Sequence, residues 1–544
     1  MTNVNVKALD NNAPLPVWRQ RSVKTGHVVA VDGASVTGIL KNDSEGVRIG
    51  SIIRMPTSAS DVFGMVTSLK AENISADPAA EKKLVEIQLL GETLRHDKTA
   101  TGAFQRGVSI YPNLGADLFT TARDELELVY ARPEAANVRI GTIHQDHTLP
   151  AFVATDELLG KHFAVLGVTG SGKSCAVALI LRAVLEHNPN GHVVLLDAHN
   201  EYSSAFGDKA ELINPANLQL PYWLLNFEEI ASVFASRTGP TVEAEHVLLK
   251  QAILDAKRKY AGEGKEFDHV TVDTPVPYRL SDLVQSITAA MGKLEKAENN
   301  TPYLRLKSRI ESLGKDKRFA FMFSGLVVKD NMVEILSRIL RIPVQRKPIT
   351  IIDISGIPPE IIDAVVSVLC HTLFDFALWS NRTKALPILL VCEEAHRYVP
   401  RDDDQGFGPT RRVIANIARE GRKYGVGLCL VSQRPSELSA TILSQCNTLF
   451  ALRMSNERDH AFVRNALPDN AAGLLSALPA LRTREAIAVG EGVAVPMRFR
   501  FDELDPKRRP MNGTPPFSSA WQDDSTTAEF VSETVERWRK QIRG

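Results

Sequence analysis

From His27 to Ile143 apolar and polar positions alternate over short runs broken by Gly, Pro and Asp: HVVAVDGASVTGIL, GSIIRMP, VFGMVTSL, KLVEIQLL, GVSIYP and LELVY. Period-two, β-branched segments between turn residues predict strands, and their succession predicts a small all-β barrel or sandwich over residues 26–150. After Pro150 the rhythm changes. The runs HFAVLG, HVVLLD, ITIIDIS, ILLVCEE, GLCLVSQ and TLFALR are continuously apolar and alternate with helical patterns such as Ser174–Leu185. Buried strands alternating with helices predict a mostly parallel, doubly wound α/β sheet, built from residues 151–238 and 346–500. Between those two pieces, residues 239–345 carry long charged, helix-compatible stretches such as AEHVLLKQAILDAKRKYA and LRLKSRIESLGKDKRFAFMF, and are read as a helical insertion. Residues 1–25 form a polar arm, and residues 501–544 a Pro-rich tail that ends in a short amphipathic segment, Thr527–Ile542. No catalytic cluster is visible in the β-rich part, which is read as an assembly or partner-docking module.

Composition narrows this little. A chain of 544 residues exceeds a single hydrophobic core, in keeping with several domains. Lys plus Arg and Asp plus Glu both total 64, so any basic surface for nucleic acid must be local. The five cysteines (Cys175, Cys370, Cys392, Cys429, Cys446) include no CxxC pair and are expected to be reduced. The N-terminus lacks a signal-like apolar run, and the apolar stretch Ala364–Trp379 is interrupted by His371 and Asp375 and falls short of the roughly 20 residues that span a bilayer. A cytoplasmic chain without a membrane helix is the expectation.

The chemistry begins at Gly167, where GVTGSGKS follows an apolar strand and opens a helix. This is the GxxxxGK[ST] phosphate cradle in the context that gives it meaning. The backbone amides of Gly167, Thr169, Gly170, Ser171, Gly172, Lys173, Ser174 and Cys175 are expected around ATP phosphates, helped by the positive end of the following helix. Lys173 is expected to bridge the β- and γ-phosphates, and Ser174 to ligate Mg2+. A second buried strand ends in Glu393-Glu394, at the edge where α/β sheets bind ligands. Glu393 is expected in the Mg2+ shell, where Asp is commoner, and Glu394 against the attacking water. Gln433, at the tip of a third strand, is a candidate to sense the γ-phosphate or to orient water. Arg419 and Arg422, in AREGRKYG, are candidates for the arginine that a ring ATPase supplies to its neighbour's site. Asp197 and Glu201 either support the metal–water network or cap the turn that follows. His144, His147 and His199 lack companions at metal spacing, so no zinc site is expected.

The stretches GVTGSGKS, DAHNEY (Asp197–Tyr202), ILLVCEEAHRY, AREGRKYGVGL, VSQRPSEL and SQCNTLFALR stand in an order and spacing that resemble the HerA group of the HerA/FtsK superfamily of DNA-pumping ATPases. The resemblance implies a RecA-like core with an N-terminal β-barrel of the ATP-synthase type, a helical insertion and a C-terminal brace. It also implies a homohexamer with ATP sites between subunits, duplex DNA in the pore, and a nuclease or Sir2-like NADase effector on the barrel side, in DNA end processing or antiphage defence. Arg411, Arg412, Lys307 and Arg309 are candidate DNA contacts or solvated faces. Two functions are carried forward: a DNA translocase or helicase, and a ring scaffold that uses ATP to assemble and activate an effector. A rotary ATP-synthase subunit would explain barrel plus P-loop but fits the EEAH and SQRP stretches poorly.

Overall fold

A computed structural model describes residues 22–41, 46–72, 82–96, 100–236, 238–262, 269–292, 300–323, 328–380, 385–402, 407–466, 472–511, 517–522 and 527–539. The polar arm lies almost wholly outside the described residues. The chain divides into two units, one comprising Met1–Ala154, Leu467–Leu481 and Glu485–Phe501, the other Thr155–Ala466, Arg482–Arg484 and Asp502–Gly544.

The first unit holds strands β1 (Lys24–Asp32), β2 (Ser35–Leu40), β3 (Ile52–Pro56), β4 (Ser60–Glu72), β5 (Lys82–His96), β6 (Ala100–Arg106) and β7 (Asp117–Thr120). They pair in the order β2-β1-β7-β3-β4-β5-β6, and a further pairing of β2 with β5, Val36 opposite Ile87, closes six of them into a barrel. Closure removes the exposed sheet edge. Alternate inward positions, among them Val28, Val36, Ile53, Val62, Val85, Ile87 and Leu118, fill its interior.

Two segments expected as strands are not strands. GVSIYP is irregular, and LELVY lies in helix α1 (Arg123–Val129). There the Glu125 carboxylate reaches back to accept the Ala122 N–H at 2.7 Å, and Asp124 and Glu125 fill the first turn. These helix-start signals override the β-like run.

Strands β8 (Asn137–Ile143) and β9 (Pro150–Ala154) also belong to this unit. They form an antiparallel set with two strands from far along the chain, β17 (Glu485–Gly490) and β18 (Met497–Phe501), through pairs such as Phe499 with Ile143. Residues 467–481 and 485–500, assigned from the sequence to the ATPase core, therefore cluster with the N-terminal unit. A pairing across some 350 residues leaves no local trace.

The second unit runs α2 (Thr155–Gly160), β10 (Phe163–Leu166), α3 (Lys173–His187), β11 (Val193–Asp197), α4 (Ser203–Phe206), β12 (Ala210–Ile213) and α5 (Phe227–Phe234). Helices α6 (Val242–Ala261), α7 (Leu280–Met291), α8 (Thr301–Lys315), α9 (Ala320–Phe323) and α10 (Met332–Leu340) follow. Then come β13 (Ile349–Asp353), α11 (Pro359–Trp379), β14 (Ile388–Cys392), α12 (Gly408–Glu420), β15 (Val426–Ser432) and β16 (Thr448–Leu452).

Among the described residues its strands are parallel in the order β12-β13-β11-β14-β15-β10-β16. Strands β10, β11, β14, β15 and β16 are buried at every position, which is why they read as unbroken apolar runs. By length and composition α11 could cross a membrane. It packs against α5 and α12, with Val365, Val366, Val368, Leu369 and Leu373 buried.

Candidate active site

Four neighbouring parallel strands, β11, β14, β15 and β10, end on one edge of the sheet, and each is followed by residues singled out in the sequence. The P-loop leaves β10. A Cβ at Gly167 would stand 2.8 Å from Ser171 Oγ and 2.9 Å from Leu452 Cβ, so only glycine fits there. Gly172, the N-cap of α3, has φ 101°, which a β-carbon disfavours. The turn presents the first turn of α3, Lys173 to Cys175, with its free amides.

Lys173 Nζ donates to the Val168 carbonyl at 3.1 Å, folded back over the loop. Burial pushes its ammonium below the usual lysine range, against the opposing pull of Glu394, Glu393 and Glu201. Thr169 Oγ1 donates to Gln433 Oε1, joining the loop to the tip of β15. Ser174 Oγ donates to Glu201 Oε2 at 2.7 Å.

Asp197, fully buried at the end of β11, accepts backbone N–H groups of His199 and Glu201 at 3.2 Å and of Tyr202 at 3.0 Å. It thereby caps the turn that delivers Glu201 to Ser174. Of the two roles left open for this pair, Asp197 takes the cap and Glu201 touches the P-loop.

The adjacent acids after β14 diverge because Glu394 adopts φ 51°, ψ 43°, a left-handed conformation that costs a non-glycine residue about 1 kcal/mol. Glu393 Oε2 accepts the Ala198 N–H at 3.2 Å. Burial foremost, then the charges of Asp197, Glu201 and Glu394, push its carboxyl up to about 9. Glu394, also buried, turns to the other side. His199 Nε2 lies 3.3 Å from its Oε1 and His396 Nδ1 3.2 Å from its Oε2.

Burial is the larger cause of that shift, but the gathering of Asp197, Glu201 and Glu394 around Glu393 also makes this a place where a cation is favoured. Among the described residues no group of three or more His, Cys, Asp or Glu side chains could hold a metal by itself. Mg2+ fits such a site, since it commonly takes one or two protein groups and completes its shell with water and phosphate oxygens. Ser174 and Glu393 are the residues that would hold it.

Other candidates lie elsewhere. Arg419 is exposed and donates to Ala415 O and Asn416 Oδ1 on its own helix, and Arg422 is exposed on the following turn. Arg412 pairs with Glu228 at 2.6 Å, Arg309 donates to the Val233 carbonyl at 2.6 Å, and Lys307 is half-buried on α8. His144 and His147 stack edge to face in the first unit.

In the sequence His199 stands out only as a possible zinc ligand, and His396 does not stand out at all. The signal available for His396 was its place two residues after the second acid. Arg484, at φ 72° and paired with Glu503 at 2.9 Å, also lies beside the P-loop, its backbone N 3.8 Å from where a Cβ on Gly172 would stand. No motif surrounds Arg484.

A parallel sheet with a P-loop, a strand-end acid pair and a polar strand tip side by side defines a RecA-like P-loop ATPase. Within that class the chain is similar to the HerA type: residues 138–373 match the family model described as "Helicase HerA, central domain". The DNA double-strand break repair helicase HerA of Pyrococcus furiosus is 26% identical over 518 residues, covering 85% of this chain and 90% of that protein. The helicase of the same name from Sulfolobus acidocaldarius is 26% identical over 432 residues, covering 78% and 80%. The solved structure of VirB4 of Thermoanaerobacter pseudethanolicus shares the fold, with a TM-score of 0.50 at 15% identity over 69% of this chain and 98% of that one.

Proposed function

We propose that the chain is an ATP-hydrolysing DNA translocase or helicase that works as a homohexameric cytoplasmic ring around duplex DNA. A nuclease or NADase-type effector docks on its barrel side, in DNA end processing or antiphage defence. The observation that carries the reading is the convergence of Lys173, Ser174, Glu393, Glu394 and Gln433 on one sheet edge while Arg419 and Arg422 stay exposed and unengaged with it. Such a site holds and polarises a nucleotide but leaves transition-state charge for an arginine from a neighbouring copy. The DNA substrate is taken from the relatives, which are named as DNA helicases.

In this mechanism Lys173 and the P-loop amides bind and orient the triphosphate, and Mg2+, when bound, would supply charge neutralisation there. Ser174 and Glu393 are the residues that would hold the ion. Glu394 orients the attacking water, and Gln433 senses the terminal phosphate. Hydrolysis moves pore loops along the DNA backbone, a contact that carries no sequence information.

The test pairs DNA-stimulated ATP hydrolysis with displacement of a triplex-forming strand, using Lys173→Ala as the inactive control. Stimulated turnover with displacement supports translocation. Robust DNA-independent hydrolysis without displacement favours the ring scaffold, and near-normal hydrolysis by Lys173→Ala removes the P-loop from the chemistry.

A further inference from the structure

Glu394 Oε2 is buried and accepts no hydrogen bond among the described residues, although His396 Nδ1 stands only 3.2 Å away. The same Nδ1 is within hydrogen-bonding distance, 3.2 Å, of Ser432 Oγ. Ser432 is the last residue of β15, and its hydroxyl oxygen already accepts the Arg434 N–H at 3.1 Å. Gln433 lies between those two positions and is bonded to Thr169 of the P-loop. One imidazole nitrogen therefore sits between the acid expected to polarise water and the strand tip that touches the phosphate cradle. Its ring is nearly buried, and that burial lowers its pKa against the pull of Glu394 and Glu437, with Arg397 and Arg434 also lowering it. A neutral imidazole has one N–H, and a carboxylate is acceptor-only, so the proton belongs on Nδ1.

We propose that His396 is a positioning residue that orients Glu394 through Nδ1–H and ties that orientation to Ser432 at the tip of β15. The proposal rests on the reading of Glu394 as the water-orienting group. When the β15 tip shifts with the Thr169–Gln433 contact, the Nδ1 proton passes from shared contact with Ser432 to a full hydrogen bond on Glu394 Oε2. The terminal phosphate and the water-orienting acid are thereby coupled by side chains of one subunit. A small ring rotation suffices, because both oxygens lie at the same distance from Nδ1.

The experiment compares His396→Ala, His396→Asn, His396→Gln, Ser432→Ala and the His396→Ala/Ser432→Ala double variant in the full chain. It measures kcat and KM for MgATP hydrolysis and the affinity for a fluorescent ATP analogue. His396→Ala should lower kcat roughly ten- to hundredfold, the scale seen when a residue that orients a functional ligand is removed, with KM and analogue affinity within about threefold. The Asn amide nitrogen overlays Nδ1 and the Gln amide nitrogen overlays Nε2, so Asn should restore most of the lost kcat and Gln should not. The double variant should be no slower than His396→Ala alone, since both changes cut one connection.

Turnover within about twofold of wild type for His396→Ala, equal rescue by Asn and Gln, or fully additive losses would overturn the proposal. Should His396→Ala not fold, the Asn–Gln contrast carries the test by itself. Glu394→Gln, run alongside, separates the two levels. If it hydrolyses ATP normally, the role of Glu394 falls and the relay with it; if it is inactive while His396→Ala is normal, only the relay falls.

Discussion

At the scale of single residues, the two acids after β14 show how one dipeptide serves two purposes. The left-handed backbone at Glu394 sends its carboxylate toward His199 and His396, while Glu393 stays against the β11 turn. Glu394→Gln keeps the side chain's shape and removes its charge. It should leave nucleotide binding within a few-fold of wild type and lower kcat by about a hundredfold or more, as expected when transition-state polarisation is lost and ground-state contacts remain. Equilibrium binding of a fluorescent ATP analogue and steady-state hydrolysis check this directly, and lost binding would make Glu394 structural.

Lys257, on α6, is a second buried charge with a different job. It is fully buried, and burial depresses its pKa to about 8. Its Nζ donates to the Val272 and Thr274 carbonyls at 2.7 and 2.6 Å. Lys257→Met would orphan both carbonyls, and urea denaturation should show a loss of about 1–3 kcal/mol with ATP affinity unchanged.

Among elements, α11 joins packing to electrostatics. His371 Nδ1 lies 2.8 Å from Glu229 Oε1 on α5, and Ser367 donates to the same oxygen at 2.5 Å. Burial alone would lower the His371 pKa, but the hydrogen bond and charge of Glu229 outweigh it and the net shift is upward. The folded chain therefore binds this proton more tightly than the unfolded chain does. The resulting stabilisation is complete below the unfolded histidine pKa and is lost as pH rises through the higher folded value. Wild type should lose stability relative to His371→Gln across that window, by up to about 1.4 kcal/mol per pH unit, in urea titrations at stepped pH. Parallel curves would show that the pair is not ionised.

His371 was legible in the sequence only as an interruption of an apolar run, because its partner is 142 residues away. The parallel strands were legible because burial on both faces leaves an unbroken apolar signature, and the P-loop because its glycines are dictated locally. Helix α1 was not, since LELVY satisfies a β pattern while the deciding Glu125–Ala122 contact lies just upstream. That β17 and β18 cluster with the N-terminal unit was not legible, because their partner, β8, precedes the ATPase core. At the site, the strand-end residues were readable from motif position. The His199–Glu394–His396 arrangement was not, because it depends on the sign of one backbone angle.

For the whole molecule, the decisive question is whether a hydrolysis site is completed by a second copy. Arg419 and Arg422 end α12 and begin the turn after it, exposed, with the Arg419 guanidinium engaged, among the described residues, by its own helix. If one of them acts on a neighbour, its replacement by Ala should lower kcat by about a thousandfold, the scale of a lost arginine finger, while ATP still binds. That result alone does not distinguish action within a subunit from action between subunits. Mixing does. Glu394→Gln subunits keep both arginines and lack the acid; the arginine variant keeps the acid. In a head-to-tail ring assembled from equal amounts, about a quarter of interfaces unite an intact Glu394 with an intact arginine. Two inactive preparations, exchanged and reassembled, should therefore recover hydrolysis toward that fraction of wild type. Absence of recovery, with mixed rings verified by native mass spectrometry of differently tagged subunits, would place the whole site within one chain and remove the physical reason for a ring.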